Sequence, residues 1–203
     1  SVVVILLLIV FLYTFSVVNV AIKSNDKFLK VDQPSLFLIN QLKEDLAKTH
    51  TYMQQWVIEE SRPDEQWKIE AEILLDKTLK FDLDTLEKLS SKWISIEDSL
   101  DNGLNEFKNI SSDVSFLIEN YNLEVRNIFV DVDSYQDEAL KFNADFMFEE
   151  ISASYEILLE AINKLSEIRK DIADAQQIKT NNRFSSLINS IIFISIIIVI
   201  GTI

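Results

Sequence analysis

Two long segments of this chain carry no aspartate, glutamate, lysine or arginine, and they lie at its two ends, Val2–Ile22 and Ser185–Ile203. Each is close to the ~20 residues that a helix needs to cross the hydrocarbon core of a bilayer. Every charged side chain lies within residues 23–184, so this middle region holds the whole net charge of −14. The sequence therefore predicts two membrane-spanning helices, residues 1–22 and 185–203, on either side of an acidic region in water.

A cleaved signal peptide is the alternative explanation for the first segment. Its apolar run is longer than the ~7–15 residues of a signal-peptide core, and it lacks a basic start and a clear small-x-small cleavage site. We therefore expect an uncleaved spanning helix. The chain also begins at Ser1 without methionine and ends at Ile203 inside an apolar run, so we expect it to be part of a longer protein.

Composition restricts the fold and the function classes. Two glycines and two prolines in 203 residues, with apolar residues at steps of three and four, predict an all-α protein. The absence of cysteine excludes disulfides, thiolate zinc sites and a cysteine nucleophile. An acidic region lacks the basic face that nucleic acid requires. It also favours an extracytoplasmic location for residues 23–184, because cytoplasmic loops accumulate lysine and arginine.

The first two helices between the spans are predicted from apolar stripes. One runs from about Ser35 to Glu60, after a kink or restart at Pro34. The turn at 61–64 leads into a second helix that ends near Trp93. The predicted core faces are Ile39, Leu42, Leu46, Met53 and Trp56 in the first helix, and Trp67, Ala71, Leu74, Leu79, Leu83, Leu86 and Leu89 or Trp93 in the second.

The third and fourth helices complete the set. The third has the cleanest register, with Phe107, Ser111, Val114, Ile118, Tyr121, Val125 and Ile128 among its core positions. An acidic loop is predicted over Asp131–Asp137, and the fourth helix begins between Asp137 and Glu149. Its predicted core face is Ile151, Tyr155, Leu158, Ile162, Leu165, Ile168 and Ile172. From Ile151 the helix continues into the second span with no glycine or proline before Gly201.

Long helices joined by short turns must be antiparallel neighbours. The predicted fold is therefore an antiparallel up-down-up-down four-helix bundle flanked by two transmembrane helices. Its local marks are Pro34-Ser35 with Leu38 and Leu42, Trp56-Val57 and Trp93 closing helices one and two, and Tyr135-Gln136-Asp137 before the last helix. With these marks the chain resembles the four-helix-bundle extracytoplasmic sensor domain of bacterial transmembrane receptors, of the methyl-accepting chemotaxis protein and sensor histidine kinase type.

The resemblance implies a function and partners. It implies a two-pass protein of the bacterial inner membrane whose extracytoplasmic region senses a small-molecule or protein ligand. It also implies a parallel homodimer that signals through the fourth helix and second span to a cytoplasmic output module. The alternative is a structural or interaction subunit of a membrane or envelope complex, with a helical spacer. We expect no enzyme, because the sequence contains no phosphate loop, catalytic triad or convincing acid pair, and we expect no cofactor or nucleic acid partner.

Candidate site residues fall into four groups. His50, the only histidine, is expected at the surface or a boundary, with pH sensing as the alternative. The string Asp131-x-Asp133-x-x-x-Asp137 lacks the glycine and glutamate of an EF-hand loop, so we expect no metal. A ligand pocket at the membrane-distal end would use Tyr52, Trp56, Arg62, Trp67 and Arg126. The predicted membrane-interface anchors are Lys23, Lys179, Arg183 and Phe184.

Overall fold

The computed structural model describes residues 2–58, 66–93, 101–133 and 138–202, and every regular element in these ranges is helical. The all-α prediction is confirmed for this part of the chain. Two π-helical turns, Phe28–Asp32 and Leu74–Thr78, join helices end to end. The α-helices are α1 Val2–Lys27, α2 Gln33–Ile58, α3 Gln66–Ile73, α4 Leu79–Ser90, α5 Asp101–Asp133 and α6 Glu138–Thr202.

The first π-turn accommodates Pro34. A proline has no N–H to donate, and its ring crowds the carbonyl four residues earlier, here that of Lys30. The backbone widens just before this point, where the Gln33 N–H donates to the Phe28 carbonyl five residues back. The chain therefore stays helical from residue 2 to residue 58, so of the predicted kink or restart at Pro34 the restart does not occur.

The second predicted helix is interrupted by the other π-turn and ends earlier than expected. The Leu79 N–H donates to the Leu74 carbonyl, again five residues back, so α3 and α4 are offset by one residue. Leu75 is buried and Leu74 is half-buried, the reverse of the predicted core face. α4 ends at Ser90. Trp93 follows in a turn, and the Trp93 backbone N–H donates to the Ser90 carbonyl at 3.0 Å.

One predicted helix end is wrong and another is confirmed. Asp131 and Asp133 lie in the last turn of α5, so residues 131–133 are helical where a loop was predicted, and residues 134–137 lie outside the described residues. The fourth predicted helix begins at Glu138, within the expected interval, and its continuity into the charge-free end is confirmed.

The contacts divide the chain into two compact units, Ser1–Gln33 with Lys170–Ile203, and Pro34–Arg169. The core of the second unit consists of the predicted stripes of α2, α5 and α6 together with a shifted stripe on α3 and α4. Fully or almost fully buried members are Ile39, Leu42, Leu46, Met53, Trp56, Ala71, Leu75, Leu79, Leu83, Leu86, Phe107, Val114, Tyr121, Val125, Ile128, Ile151, Leu158, Ile162 and Leu165.

Side-chain contacts give the directions of the helices in the second unit. The end of α2 meets the start of α3, where Trp56 contacts Trp67. The start of α2 meets the end of the α3–α4 pair, because Trp93 Nε1 donates to Ser35 Oγ at 2.8 Å. Asn122 in the second half of α5 donates to the Leu75 carbonyl of the π-turn at 2.7 Å. Consecutive helical stretches therefore run in opposite directions here.

In the other unit, α1 lies beside the C-terminal part of α6 and runs in the opposite direction. Lys27 Nζ, at the end of α1, donates to Gln176 Oε1 at 2.7 Å. Seven to fourteen residues before Lys27 in α1, Tyr13, Ser16, Val17 and Val20 share a cavity of about 260 Å³ with Thr180, Arg183, Phe184 and Ser186 of α6.

One helical stretch among the described residues, Leu7–Trp56, is long and apolar enough to cross a membrane by length and composition. Its most apolar 18-residue window has a mean hydropathy of 1.9, and none of that window is buried. Leu7, Phe11 and Phe15 of α1 are 55, 69 and 61 % exposed. Such a surface is unfavourable in water and suits lipid.

Candidate functional site

An aromatic cluster joins α2, α3 and α5 at the end of α2. The Trp56 ring, 2 % exposed, stacks on Phe129 of α5 with a centroid distance of 3.5 Å and meets Trp67 of α3 edge-on at 5.5 Å. We call Trp56, Trp67, Phe129 and Lys68 the Trp56 cluster. Trp56 reaches it because it lies three residues after buried Met53, on the same face of α2.

Lys68 places a buried ammonium group in the Trp56 cluster. The residue is 1 % exposed, and its Nζ lies 4.2 Å from the centre of the Trp56 ring and 5.7 Å from that of Trp67. A cation over a desolvated indole gains about 2 kcal/mol or more. Sequence reasoning assigned no role to Lys68, although it precedes buried Ala71 by three residues and so shares its helix face.

A polar edge borders the Trp56 cluster between α2 and α3. Tyr52 Oη donates to Glu70 Oε2 at 2.9 Å, and Gln66 Nε2 donates to Glu70 Oε1 at 3.0 Å. The hydrogen bond to the Glu70 carboxylate, with partial burial, raises the pKa of Tyr52 above its ordinary value. The phenol therefore remains protonated and able to donate at neutral pH.

The predicted ligand-contact residues are only partly brought together. Tyr52, Trp56 and Trp67 are neighbours, since the Tyr52 and Trp67 ring centres lie 6.5 Å apart. Arg126 lies one turn before Phe129 on α5, but its guanidinium pairs with Asp76 of the second π-turn. Arg62 lies outside the described residues.

Replacing Tyr52 with phenylalanine tests the polar edge. The change deletes the donor to Glu70 and keeps the ring, so we expect a loss of about 0.5–1.5 kcal/mol in the free energy of unfolding. Urea unfolding of the full chain in detergent micelles, followed by circular dichroism, measures it. Tyr155→Phe is the matched control, because no hydrogen bond to the Tyr155 hydroxyl occurs within the described residues. Equal losses in the two variants would contradict the assignment.

His50 is half-buried among aromatic rings rather than free at the surface. Its ring stacks on Tyr155 at 4.2 Å and on Phe148 at 5.5 Å, and Nδ1 lies 3.5 Å from the Tyr121 hydroxyl. Burial lowers the pKa of His50, an effect that the charge of Glu156 partly offsets. The imidazole is therefore neutral at pH 7 and joins α2, α5 and α6.

A third aromatic group contacts all four helical stretches of the second unit. Trp93 is fully buried, donates to Ser35 of α2, and meets Phe107 of α5 at 4.2 Å with an interplanar angle of 63°. The Arg169 guanidinium of α6 lies 4.9 Å from the Trp93 ring centre. Pro34 and Arg169 are the first and last residues of this unit. Arg169 contacts Trp93, and Pro34 directly precedes Ser35, so both ends of the unit lie at this group.

The predicted interface anchors lie on the two helices of the other unit. Lys23 on α1 and Arg183 on α6 are exposed, whereas Lys179 and Phe184 are half-buried. Arg183 and Phe184 line the cavity beside α1. This places a cation and an aromatic ring next to each other at the start of the charge-free segment of α6.

Neither a metal site nor a relative identifies the function of these residues. No three His, Asp or Glu side chains within the described ranges are placed to hold a metal ion. Comparison of the chain with known protein families, curated proteins and solved structures found no match. The arrangement of the helices is the remaining indication of function.

Proposed function

We propose that this chain is the stimulus-sensing region of a bacterial transmembrane signal-transduction receptor, without enzymatic activity of its own. The observation that carries the proposal is α6, a single 65-residue helix from Glu138 to Thr202. Its first half contributes Ile151, Leu158 and Leu165 to the core of the second unit, and its last turns are charge-free. An unbroken helix can transmit a shift or rotation along its length, which a jointed connection cannot.

The proposed sensory region is an antiparallel up-down-up-down four-helix bundle. Its helices are α2, the α3–α4 pair, α5 and the first part of α6. The alternating directions of the first three support it, as do the His50 contacts of α2 with α6 and the Trp93 contacts with all four stretches. A bundle of this kind returns the chain to the end from which it started.

The two-span topology is proposed on surface chemistry. α1 is apolar and exposed, and the end of α6 also exposes large apolar side chains, among them Ile188, Phe193 and Ile200 at 53, 66 and 69 %. Lipid would cover both surfaces. The acidic middle region, residues 23–184, would then lie outside the cytoplasm, with the chain in the bacterial inner membrane as a parallel homodimer.

The Trp56 cluster is the proposed stimulus site, since it lies at the end of the bundle opposite Pro34 and Arg169. A ligand shifts a receptor only if it binds one of two states more tightly. Tyr52, Glu70 and Gln66 offer an exchangeable hydrogen-bond network at the edge of this cluster. A small molecule or a protein that competes for the Glu70 carboxylate would change how α3 packs on α2.

Alanine insertions in α6 test the proposal without a known ligand. One to four alanines inserted after Ala175, in a fusion of residues 1–203 to a histidine kinase module, rotate the following helix by about 100° each. We expect kinase activity to change most at two insertions and to return toward the parent value at four. The measurement is autophosphorylation in membrane vesicles.

Two glycines at the same position are the control, because they add length but break stiffness. They should give an intermediate activity that differs from that of the two-alanine insertion of equal length. Equal activity for every alanine insertion would mean that α6 carries no signal. That result would favour a structural spacer in a membrane complex over a receptor.

A further inference from the structure

The C-terminal part of α6 exposes a continuous face that α1 does not cover. The face consists of side chains spaced alternately by three and four residues over 25 positions, and all of them are exposed. Its four large apolar members are 52–61 % exposed. We call this set the heptad stripe: Ala175, Ile178, Asn182, Ser185, Asn189, Ile192, Ile196 and Val199.

The opposite face of the C-terminal part of α6 packs on α1. Thr180 and Phe184 line the cavity shared with α1, and Leu187 is only 8 % exposed. At 100° per residue, Leu187 is about 160° away from Asn189 around the helix. The packing of α1 and α6 within one chain therefore leaves the heptad stripe available.

One asparagine in the stripe is costly if it faces lipid. Asn189 lies in the charge-free segment, whereas Asn182, seven residues earlier on the same line, precedes that segment. Hydrocarbon offers no hydrogen bond to a carboxamide, and an unsatisfied amide there costs several kcal/mol. A carboxamide carries both donors and an acceptor, so the group that complements an asparagine across a two-fold axis is the same asparagine.

We propose that the heptad stripe is the interface with a second copy of this chain, in parallel, with Asn189 paired to its counterpart in that copy. Alternation of three and four is the spacing of a coiled-coil seam, in which equivalent positions of two parallel helices face each other. The inference rests on the proposed two-span topology and adds to it the surface that forms the dimer.

Charges beside the stripe support a second copy in parallel. If Asn182 and Asn189 are placed at heptad position a, Asp174 falls at position g and Lys179, five residues later, at position e. In a parallel pair of helices, position g of one helix faces position e of the other. Asp174 and Lys179 carry opposite charges, so each is complementary to the other in the second copy. A partner of different sequence would not in general carry charges that complement both Asp174 and Lys179.

Small side chains allow the two helices to come close. Ser185, Ser186, Asn189 and Ser190 line a shallow groove together with Phe193. Small residues at steps of four let the backbones of membrane helices approach and form close contacts. A second groove lies farther along α6 and is lined by Ile192, Ser195, Ile196 and Val199.

Cysteine crosslinking of the full chain in membranes tests the interface, because the natural sequence contains no cysteine. Single cysteines at Ile178, Ser185, Ile192 and Ile196 should give disulfide-linked dimers. Cysteines on the opposite face, at Thr180 and Leu187, should give almost none. Dimers formed equally on both faces, or only from α1 positions such as Phe11, would overturn the proposal.

Asn189→Leu tests the role of the amide. Loss of one intramembrane hydrogen-bonded pair should weaken dimerisation about 5- to 30-fold, measured by energy transfer between labelled full chains in vesicles of phosphatidylcholine and phosphatidylglycerol. Asn19→Leu, an exposed asparagine in α1, is the matched control and should leave the dimer unchanged. An unchanged Asn189→Leu dimer, or a larger loss with Asn19→Leu, would contradict the proposed interface.

Extraction of the membranes with alkaline carbonate separates the two proposals. A chain released by carbonate does not span the membrane, and the proposed receptor topology fails together with the interface. A chain retained in the membrane with no crosslinks from the heptad stripe leaves the topology standing and overturns the interface alone.

Discussion

Replacing Trp93 with alanine is expected to lower the free energy of unfolding of the chain by about 3–5 kcal/mol, the usual range for a buried tryptophan. The ring is fully buried where four helical stretches meet, so its removal leaves a cavity that no single helix can move to fill. It also removes the donor to Ser35 and the aromatic face beneath the Arg169 guanidinium. The buried Arg169 guanidinium would then lose its cation–π interaction with the Trp93 ring.

Urea unfolding of the full chain in micelles, followed by circular dichroism, measures the loss. Trp93→Phe separates packing from hydrogen bonding, since it keeps most of the apolar volume and loses the indole N–H. Trp67→Ala removes the same side chain from a half-buried position and should cost less than half as much. A Trp93→Ala variant within 1 kcal/mol of the parent would show that the Trp93 group does not hold the four stretches together.

Apolar periodicity predicted the helical class and most of the buried helix faces, because burial depends mainly on which side chains share a helix face. The stripes of α2, α5 and α6 are buried as expected, from Ile39 and Leu42 to Phe107 and Leu165. The two π-turns were missed because templates with steps of three and four do not contain a step of five. Leu74 and Leu79, two neighbouring members of the predicted core face, are five residues apart, and this step coincides with the second π-turn.

The polar contacts were harder to predict because they depend on neighbours distant in sequence. Asp76 and Lys80 lie one turn apart with the acid first, the order that favours an ion pair along one helix. In the structure Asp76 pairs with Arg126, and Lys80 Nζ lies 3.8 Å from Glu119 Oε1. Arg126 and Glu119 are both on α5. Arg126 is thereby held away from the aromatic site to which it was assigned. Lys68 was overlooked for the opposite reason, since a lysine is usually solvated and only the nearby indoles make its burial tolerable.

A pair of buried carboxylates gives the second large expected effect. Asp45 of α2 and Asp82 of α4 are 5 and 3 % exposed, and the Oδ2 atom of each has no hydrogen-bond partner within the described residues. Asp45 Oδ1 lies 3.6 Å from Lys48 Nζ, which leaves Asp82 the more poorly compensated of the two. An unsatisfied buried polar group costs about 1–3 kcal/mol, and more when it is charged. Asparagine keeps the shape and removes the charge, so we expect Asp82→Asn to raise the free energy of unfolding by about 1 kcal/mol or more at pH 7.

The pH dependence of this gain identifies its cause. Burial, with the charge of Asp45, raises the pKa of Asp82, so the folded chain holds this proton to a higher pH than the unfolded chain does. The destabilisation by Asp82 is absent below the ordinary aspartate pKa, grows as the pH rises from there toward the raised pKa, and is complete above it. The advantage of Asp82→Asn should therefore be largest near pH 7 and shrink as the pH falls toward 4.

The comparison of variant with parent at each pH isolates Asp82 from other groups. His50 titrates in the same range with the opposite sign, because its lowered pKa makes the parent less stable as the pH falls, and both proteins share it. Asp84→Asn, an exposed aspartate on the same helix, is the control and should change stability by less than about 0.5 kcal/mol at any pH. An Asp82→Asn gain that stays constant from pH 7 to pH 4 would mean that shape, not ionisation, sets the effect, and that the Asp45–Asp82 pair carries no buried charge.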